Sequence, residues 1–200
     1  MRDHLTYRLL GQTLDDAAGE AFDKVGRLLG LPYPGGPAIS RAADAAVRHD
    51  AAFPRAWLGD SYDFSFSGLK TAARRIVDAA RADSGVADDP DAALASETVA
   101  ELAWGFQDSV VDVLATKTLR AAAAIGASSI VVGGGVAANR ALRERLAEGA
   151  ASMSVPLVVP RPDLCTDNGA MIGAAAYRRF RAGERAGLGL DARPSYPLAS

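Results

Sequence analysis

The chain has 200 residues, 49% of them hydrophobic and 23% charged, the balance of a globular domain rather than of a disordered chain. Lys and Arg number 22 against 24 Asp and Glu, so the formal net charge of −2 supplies no global basic field and leaves any RNA contact to local patches or a partner. A single cysteine excludes an internal disulfide, and His4 and His49 stand too far apart for a compact His/Cys metal site.

No run of about 18 apolar residues predicts a membrane span, and the opening residues lack the apolar stretch and cleavage site of a secretory signal, which makes cytoplasm the default. In chain order, Leu5 to Leu10 reads as a short strand, an abrupt opening for an α/β sheet that hints at sequence before Met1. Leu14, Ala17, Ala18, Ala21, Phe22, Val25, Leu28 and Leu29 recur at helical spacing, with Thr13 as the expected N-cap and Gly30 as the closing C′ residue. The loop from Pro32 to Pro37 follows, and a second helix is expected over Ala38 to His49. Asp63 to Ser67 alternates like a short strand, and a helix carrying Leu69, Ala72, Ala73, Ile76 and Val77 starts at Ser67 or Gly68.

Arg81 to Asp89 is polar and loose, Pro90 suits a first helical turn, and an apolar pattern then runs to about Ile125 with a bend expected near Gly105. The remainder alternates: strand Ser129 to Val132, glycine turn, helix Ala138 to Gly149, strand Val155 to Val159, loop, helix Asn168 to Arg181. That order predicts parallel pairing. Residues 1–181 are read as one structural part and 182–200, rich in Gly, Pro and Arg, as a tail.

Gly133, Gly134 and Gly135 lie between a strand and a helix start, where backbone amides and the helix dipole favour an anion such as a nucleotide phosphate. A tight strand-to-helix turn needs the same glycines, so both readings stand, as do capping and nucleotide contact for Asn139. Asp167, before the last helix, suits an N-cap or a metal-facing carboxylate that needs further ligands. Cys165 has no base beside it and reads as a structural thiol. Asp16, Glu20 and Asp23 share one helix stripe, a solvated face from which Asp23 can also reach a ribose hydroxyl. Phe64 to Thr71 has the form of a strand-to-helix phosphate turn with Lys70 attached, and Arg74-Arg75, Arg140-Arg143-Arg145 and Arg178-Arg179-Arg181 are candidate RNA phosphate contacts or solvated helix faces.

Taken in order, Leu14 to Lys24 (LDDAAGEAFDK), Tyr33 to Pro37 (YPGGP), Phe64 to Lys70 (FSFSGLK), Val132 to Asn139 (VGGGVAAN) and Cys165 to Ile172 (CTDNGAMI) closely resemble the TsaD family, formerly Gcp or O-sialoglycoprotein endopeptidase, over nearly the whole chain. The resemblance implies an α/β actin-like ATPase fold of the sugar kinase, Hsp70 and actin superfamily, in which two RNase H-like lobes enclose a nucleotide; this chain would be mostly the second lobe. It implies transfer of a threonylcarbamoyl group from threonylcarbamoyl-AMP to N6 of adenosine 37 in tRNAs reading ANN codons, with TsaB-like and TsaE-like accessory proteins. It further implies one divalent metal ion, iron or zinc. By motif, Asp23, Gly36 and Asn139 resemble adenylate-binding positions, Asp23 on the ribose hydroxyls, and Asp167 resembles the carboxylate ligand of the metal. No general base is identified.

The sequence departs from the family in one respect. The paired metal-binding histidines spaced H-x-x-x-H and the Ser-Gly-Gly-His-Thr loop of the family's N-terminal portion do not occur in these 200 residues. The expectation is therefore a fragment, a misassigned start or a degenerate paralogue, with little turnover by this chain alone; the alternative is a non-catalytic nucleotide-binding or scaffold paralogue of the same fold. The endopeptidase label ranks last, because no protease constellation is visible.

Overall fold

A computed structural model describes residues 1, 3–85 and 93–191. It is a mixed α and β structure dominated by helices, and among the described residues no helix is long and apolar enough to cross a membrane. The expected start at Pro90 and the tail beyond Asp191 lie outside the described residues.

Helix α1 (Ala18–Leu28) buries Ala21, Phe22 and Val25 on one face, the periodicity read from the sequence. It ends as expected: Gly30 has φ +71°, the Leu31 amide donates to the Gly26 carbonyl at 2.9 Å, and the Gly30 amide to the Arg27 carbonyl at 3.2 Å, a Schellman closure. Its start differs. Ala17 is the N-cap residue, and the Thr13 hydroxyl donates to the Asp16 carbonyl at 2.9 Å, closing a turn ahead of the helix.

Helix α2 (Gly35–Ala43) begins three residues before the expected position and ends well short of His49. Pro34 and Pro37 explain the early start, since neither proline has an N–H for the first turn to leave unpaired. The segment after α2 instead runs beside the later helix α4 (Ser96–Ala124) in the same direction. Arg48 pairs with Glu101 at 2.7 Å, Phe53 packs on Phe106 with ring centroids 5.9 Å apart, and Arg55 bridges Asp108 and Asp112 at 2.5 and 2.6 Å. A Cβ on Gly105 would lie 2.2 Å from the Ala51 carbonyl oxygen. The helix continues through Gly105, whose missing side chain admits this strap.

The strand expected at Leu5 to Leu10 does not form; the Leu5 and Thr6 amides at its start donate instead to the Asp3 carboxylate, both at 2.8 Å. The strand expected at Asp63 to Ser67 is reduced to one parallel bridge, Thr13 with Phe64. Buried Lys117 of α4 donates its Nζ to the Asp63 carbonyl and lies 5.7 Å from the Phe64 ring centroid, anchoring this bridge; burial pushes its ammonium below the ordinary value. Helix α3 (Ser67–Asp83) buries Leu69, Ala73 and Val77, four residues apart. These side chains join Phe22, Ile39, Phe53 and Phe106 in the main core among the first four helices.

Strands β1 (Ile130–Val131) and β2 (Leu157–Val158) pair in parallel as expected, in the register Ile130 with Leu157, but are shorter than the sequence suggested. Between them lie a 3₁₀ turn at Gly135–Ala138 and helix α5 (Arg140–Ser152), whose Leu142 and Leu146 pack on Val111 and Ala115 of α4. Helix α6 (Gly169–Arg181) follows and buries none of its residues.

Candidate functional site

The acidic stripe of α1 divides into two parts. Asp16 and Glu20 both grip Lys24, at 2.6 and 2.8 Å, and those hydrogen bonds, Asp16's first, hold its ammonium above the ordinary value. Asp23 turns the other way, and its Oδ1 accepts the Gly35 amide at 2.7 Å. That amide is one of the donors a helix start leaves unpaired, so Asp23 caps α2 from outside its own sequence neighbourhood. Its Oδ2 has no hydrogen-bond partner among the described residues.

Gly35 and Gly36 have different jobs. A Cβ on Gly35 would sit 2.5 Å from the Phe22 carbonyl oxygen and 2.6 Å from the Asp23 Cα, so only glycine lets α2 start against the α1 backbone. A Cβ on Gly36 would meet open space. One turn before Asp23, Gly19 faces the 3₁₀ turn, its would-be Cβ 3.6 Å from Val136 Cγ2. Two adjacent turns of α1 therefore carry the start of α2 and the glycine turn after β1.

Within that turn, Gly134 has φ +82°, the one conformation there that demands glycine, and a Cβ on Gly133 or Gly135 would meet nothing. The amides of Gly135 and Val136 are the first of the 3₁₀ turn, the donors such a turn leaves unpaired. Asn139 caps α5: its Oδ1 accepts the Leu142 amide at 3.0 Å, and its Nδ2 donates to Gln107 Oε1 at 2.8 Å. Arg143 fastens the turn from below, donating to the Ala137 carbonyl, to the Pro160 carbonyl at 3.4 Å and to Cys165 Sγ at 3.5 Å. Cys165 is buried, as suits a structural thiol.

Asp167 is not the N-cap of α6; Asn168 is, its Oδ1 accepting the Met171 amide at 3.0 Å. Asn168 stands one residue nearer the helix and so reaches the third amide, leaving Asp167 exposed and without a hydrogen bond among the described residues. Among the described residues no three His, Cys, Asp or Glu side chains come together in a way that could hold a metal ion. The residues present therefore do not fit a metal by themselves, because one carboxylate does not hold a divalent ion.

Three residues have roles that no local pattern in the sequence marks: Gly35 and Gln107 at the site, and Asp15 at the start of α3. Asp15 lies at the turn before α1, yet its Oδ1 accepts the Phe66 and Ser67 amides at 2.8 and 3.1 Å and its Oδ2 the Ser65 and Ser67 hydroxyls at 2.5 and 2.7 Å. It caps α3 across 52 residues of chain. Thr13 cannot cap α1, because the helix begins five residues after it and its hydroxyl is spent on the Asp16 carbonyl.

The family model for TsaD, tRNA N6-adenosine threonylcarbamoyltransferase, matches residues 1–174. The chain is 52% identical over 212 residues to the tRNA N6-adenosine threonylcarbamoyltransferase of Thermomicrobium roseum, covering 100% of this chain and 56% of that protein. It is 50% identical over 190 residues to that of Geobacter sulfurreducens, covering 94% and 53%, and 47% identical over 195 residues to that of Shouchella clausii, covering 97% and 55%. The chain thus spans little more than half the length of these relatives, and the five motifs that carry the resemblance, the last of them Cys165 to Ile172, fall within residues 1–174. With its matched region running from the first residue into α6, the chain belongs to the TsaD family.

Proposed function

We propose that this chain carries the adenylate-holding part of a tRNA N6-adenosine threonylcarbamoyltransferase of actin-like, RNase H-like fold. The observation that carries the reading is Asp23: one oxygen is fixed by the Gly35 amide at the start of α2, and the other has no hydrogen-bond partner among the described residues, while the neighbouring Gly36 borders open space. A carboxylate held in that way accepts hydrogen bonds from a ribose diol without first reorganising. The unpaired amides of Gly135 and Val136, reached from the next turn of α1, suit the adenylate phosphate. Asn139 borders that turn and acts through it, since both ends of its amide are engaged within the protein.

The reaction is the attack of the adenosine 37 N6 amine of tRNA on the carbamoyl carbon of threonylcarbamoyl-AMP. A C–N bond forms, the carbamoyl C–O bond to phosphate breaks, AMP departs with the electron pair, and the amine loses a proton. The role of this chain's residues is to bind and orient the departing adenylate, which fixes the carbamoyl group in line for attack. Asp167 is the carboxylate this chain would offer to an iron or zinc ion, whose other ligands would have to come from outside these residues. TsaB-like and TsaE-like proteins are the accessory partners in this reading.

Asp23→Asn tests it. The amide oxygen keeps the cap on Gly35 while the ribose-facing acceptor becomes a donor, so the urea midpoint should stay close to wild type while AMP binds about tenfold more weakly by calorimetry, the scale of a hydrogen bond to a charged group. An unchanged AMP dissociation constant would remove Asp23 from the site.

A further inference from the structure

Of the three basic clusters in the sequence, that on α5 is committed within the fold. Arg140 pairs with Asp44 and Glu144 at 2.5 and 3.1 Å, Arg145 with Asp112 at 3.1 Å, and Arg143 bonds backbone carbonyls. On α3, Arg74 pairs with Asp78 at 3.2 Å. At the end of α6, Arg179 pairs with Glu184 at 2.8 Å, whereas Arg178 and Arg181 have no carboxylate partner among the described residues. From Gly169 to Leu190 four arginines face one glutamate, on a chain whose net charge is −2.

Arg178 and Arg181 stand three residues apart on one stripe of α6, with Tyr177 beside them. They line an open pocket of about 440 Å³ with Asp3, His4 and Leu5. The Asp3 carboxylate on the pocket's edge forms no ion pair with them; it accepts from the Leu5 amide, the Thr6 amide and the Thr6 hydroxyl at 2.8, 2.8 and 2.9 Å, leaving two guanidiniums against one carboxylate in the lining. Tyr177 is 55% exposed, an aromatic ring left in water next to two unpaired guanidiniums. Ile172, Ala176 and Phe180 form a separate stripe, so a protein covering that apolar side would leave the arginines within reach.

We propose that the C-terminal end of α6, where Arg178, Arg181 and Tyr177 meet His4 in one open pocket, is an RNA contact: the guanidiniums take backbone phosphates and the tyrosine ring stacks on an unpaired base. The proposal rests on the tRNA substrate proposed above and adds where this chain touches it. Its sequence-independent phosphate contacts would position tRNA without reading its sequence.

The test is binding of a full-length tRNA transcript to the whole 200-residue chain over a series of salt concentrations. The double variant R178A/R181A should bind about tenfold more weakly, and its plot of log affinity against log salt should be shallower by about 1.5–2, the loss of two phosphate contacts. R178K/R181K should keep most of the affinity, and Tyr177→Ala should weaken binding without changing the slope. All three positions are exposed, so the variants should melt like wild type. Unchanged affinity and slope in R178A/R181A, or no tRNA binding by wild type, would overturn the proposal. So would unchanged RNA binding in that variant together with an altered sedimentation coefficient in I172S/F180S, the signature of a protein-docking face. AMP titrations of the same proteins keep the two readings apart: AMP binding without RNA binding defeats this patch alone, and RNA binding without AMP binding defeats the adenylate site alone.

Discussion

Alanine at Gly35 should lower stability by about 2–4 kcal/mol and abolish AMP binding, whereas alanine at Gly36 should leave the urea midpoint within about 0.5 kcal/mol of wild type. The difference is one of backbone against open space. At Gly35 the added methyl meets the carbonyl of Phe22 and the Cα of Asp23, main-chain atoms that cannot rotate away. Separating α1 from α2 by the required distance also stretches the bond from the Gly35 amide to Asp23, a capping interaction worth about 1 kcal/mol. At Gly36 the methyl enters open space that the proposed function gives to the adenylate, so Gly36→Ala should weaken AMP binding while the fold persists. Urea unfolding with an unchanged slope, beside calorimetry, separates the two effects. Equal stability loss at both positions would contradict the packing described for α1 and α2.

Removing the Asp15 carboxylate should cost about 2 kcal/mol at neutral pH, the upper end for an N-cap, because this one side chain serves two amides and two hydroxyls. The Ser65 and Ser67 hydroxyls, with the Phe66 and Ser67 amides, hold its carboxyl far below the usual carboxylate range. A depressed folded-state value means that the stabilisation is complete above the unfolded value of 3.8 and is lost as pH falls below it toward the folded value. Wild type should therefore lose stability between pH ~4 and ~2 that Asp15→Asn, already without the charge, does not lose there. Parallel acid profiles for the two proteins would rule out the cap. Asp63, Glu101 and Asp112 are lowered as well, so the difference between the profiles is the informative quantity.

Asp15 also marks the limit of what the sequence makes legible. Periodicity reports which residues of one helix share a face, and it marks Phe22 and Val25 and the Leu69, Ala73 and Val77 stripe, the faces these helices bury. The Gly30 closure was equally local. A cap reaching α3 from residue 15, an amide of Asn139 matched to Gln107, and a strap laid on Gly105 join positions far apart in the chain, and no local pattern encodes them. The strands were overextended for a related reason: alternation marks residues able to pair, while pairing length depends on a neighbour, and among the described residues β1 and β2 have only each other. The site divides the same way. The sequence pointed to Asp23, Gly36, Asn139 and the glycines at 133–135, but which of the paired glycines is structural, and which oxygen of Asp23 is free, emerges only from the packing.

The adenylate site proposed here lies between the start of α2 and the turn after β1. Titrating AMP into isotope-labelled protein and following backbone amide resonances tests it most directly. Saturable shifts should concentrate at Gly35, Gly36 and Gly134 through Val136, and should vanish in Asp23→Asn at the same AMP concentrations. A folded protein whose amides at these positions do not respond to AMP, or respond only elsewhere, would contradict it.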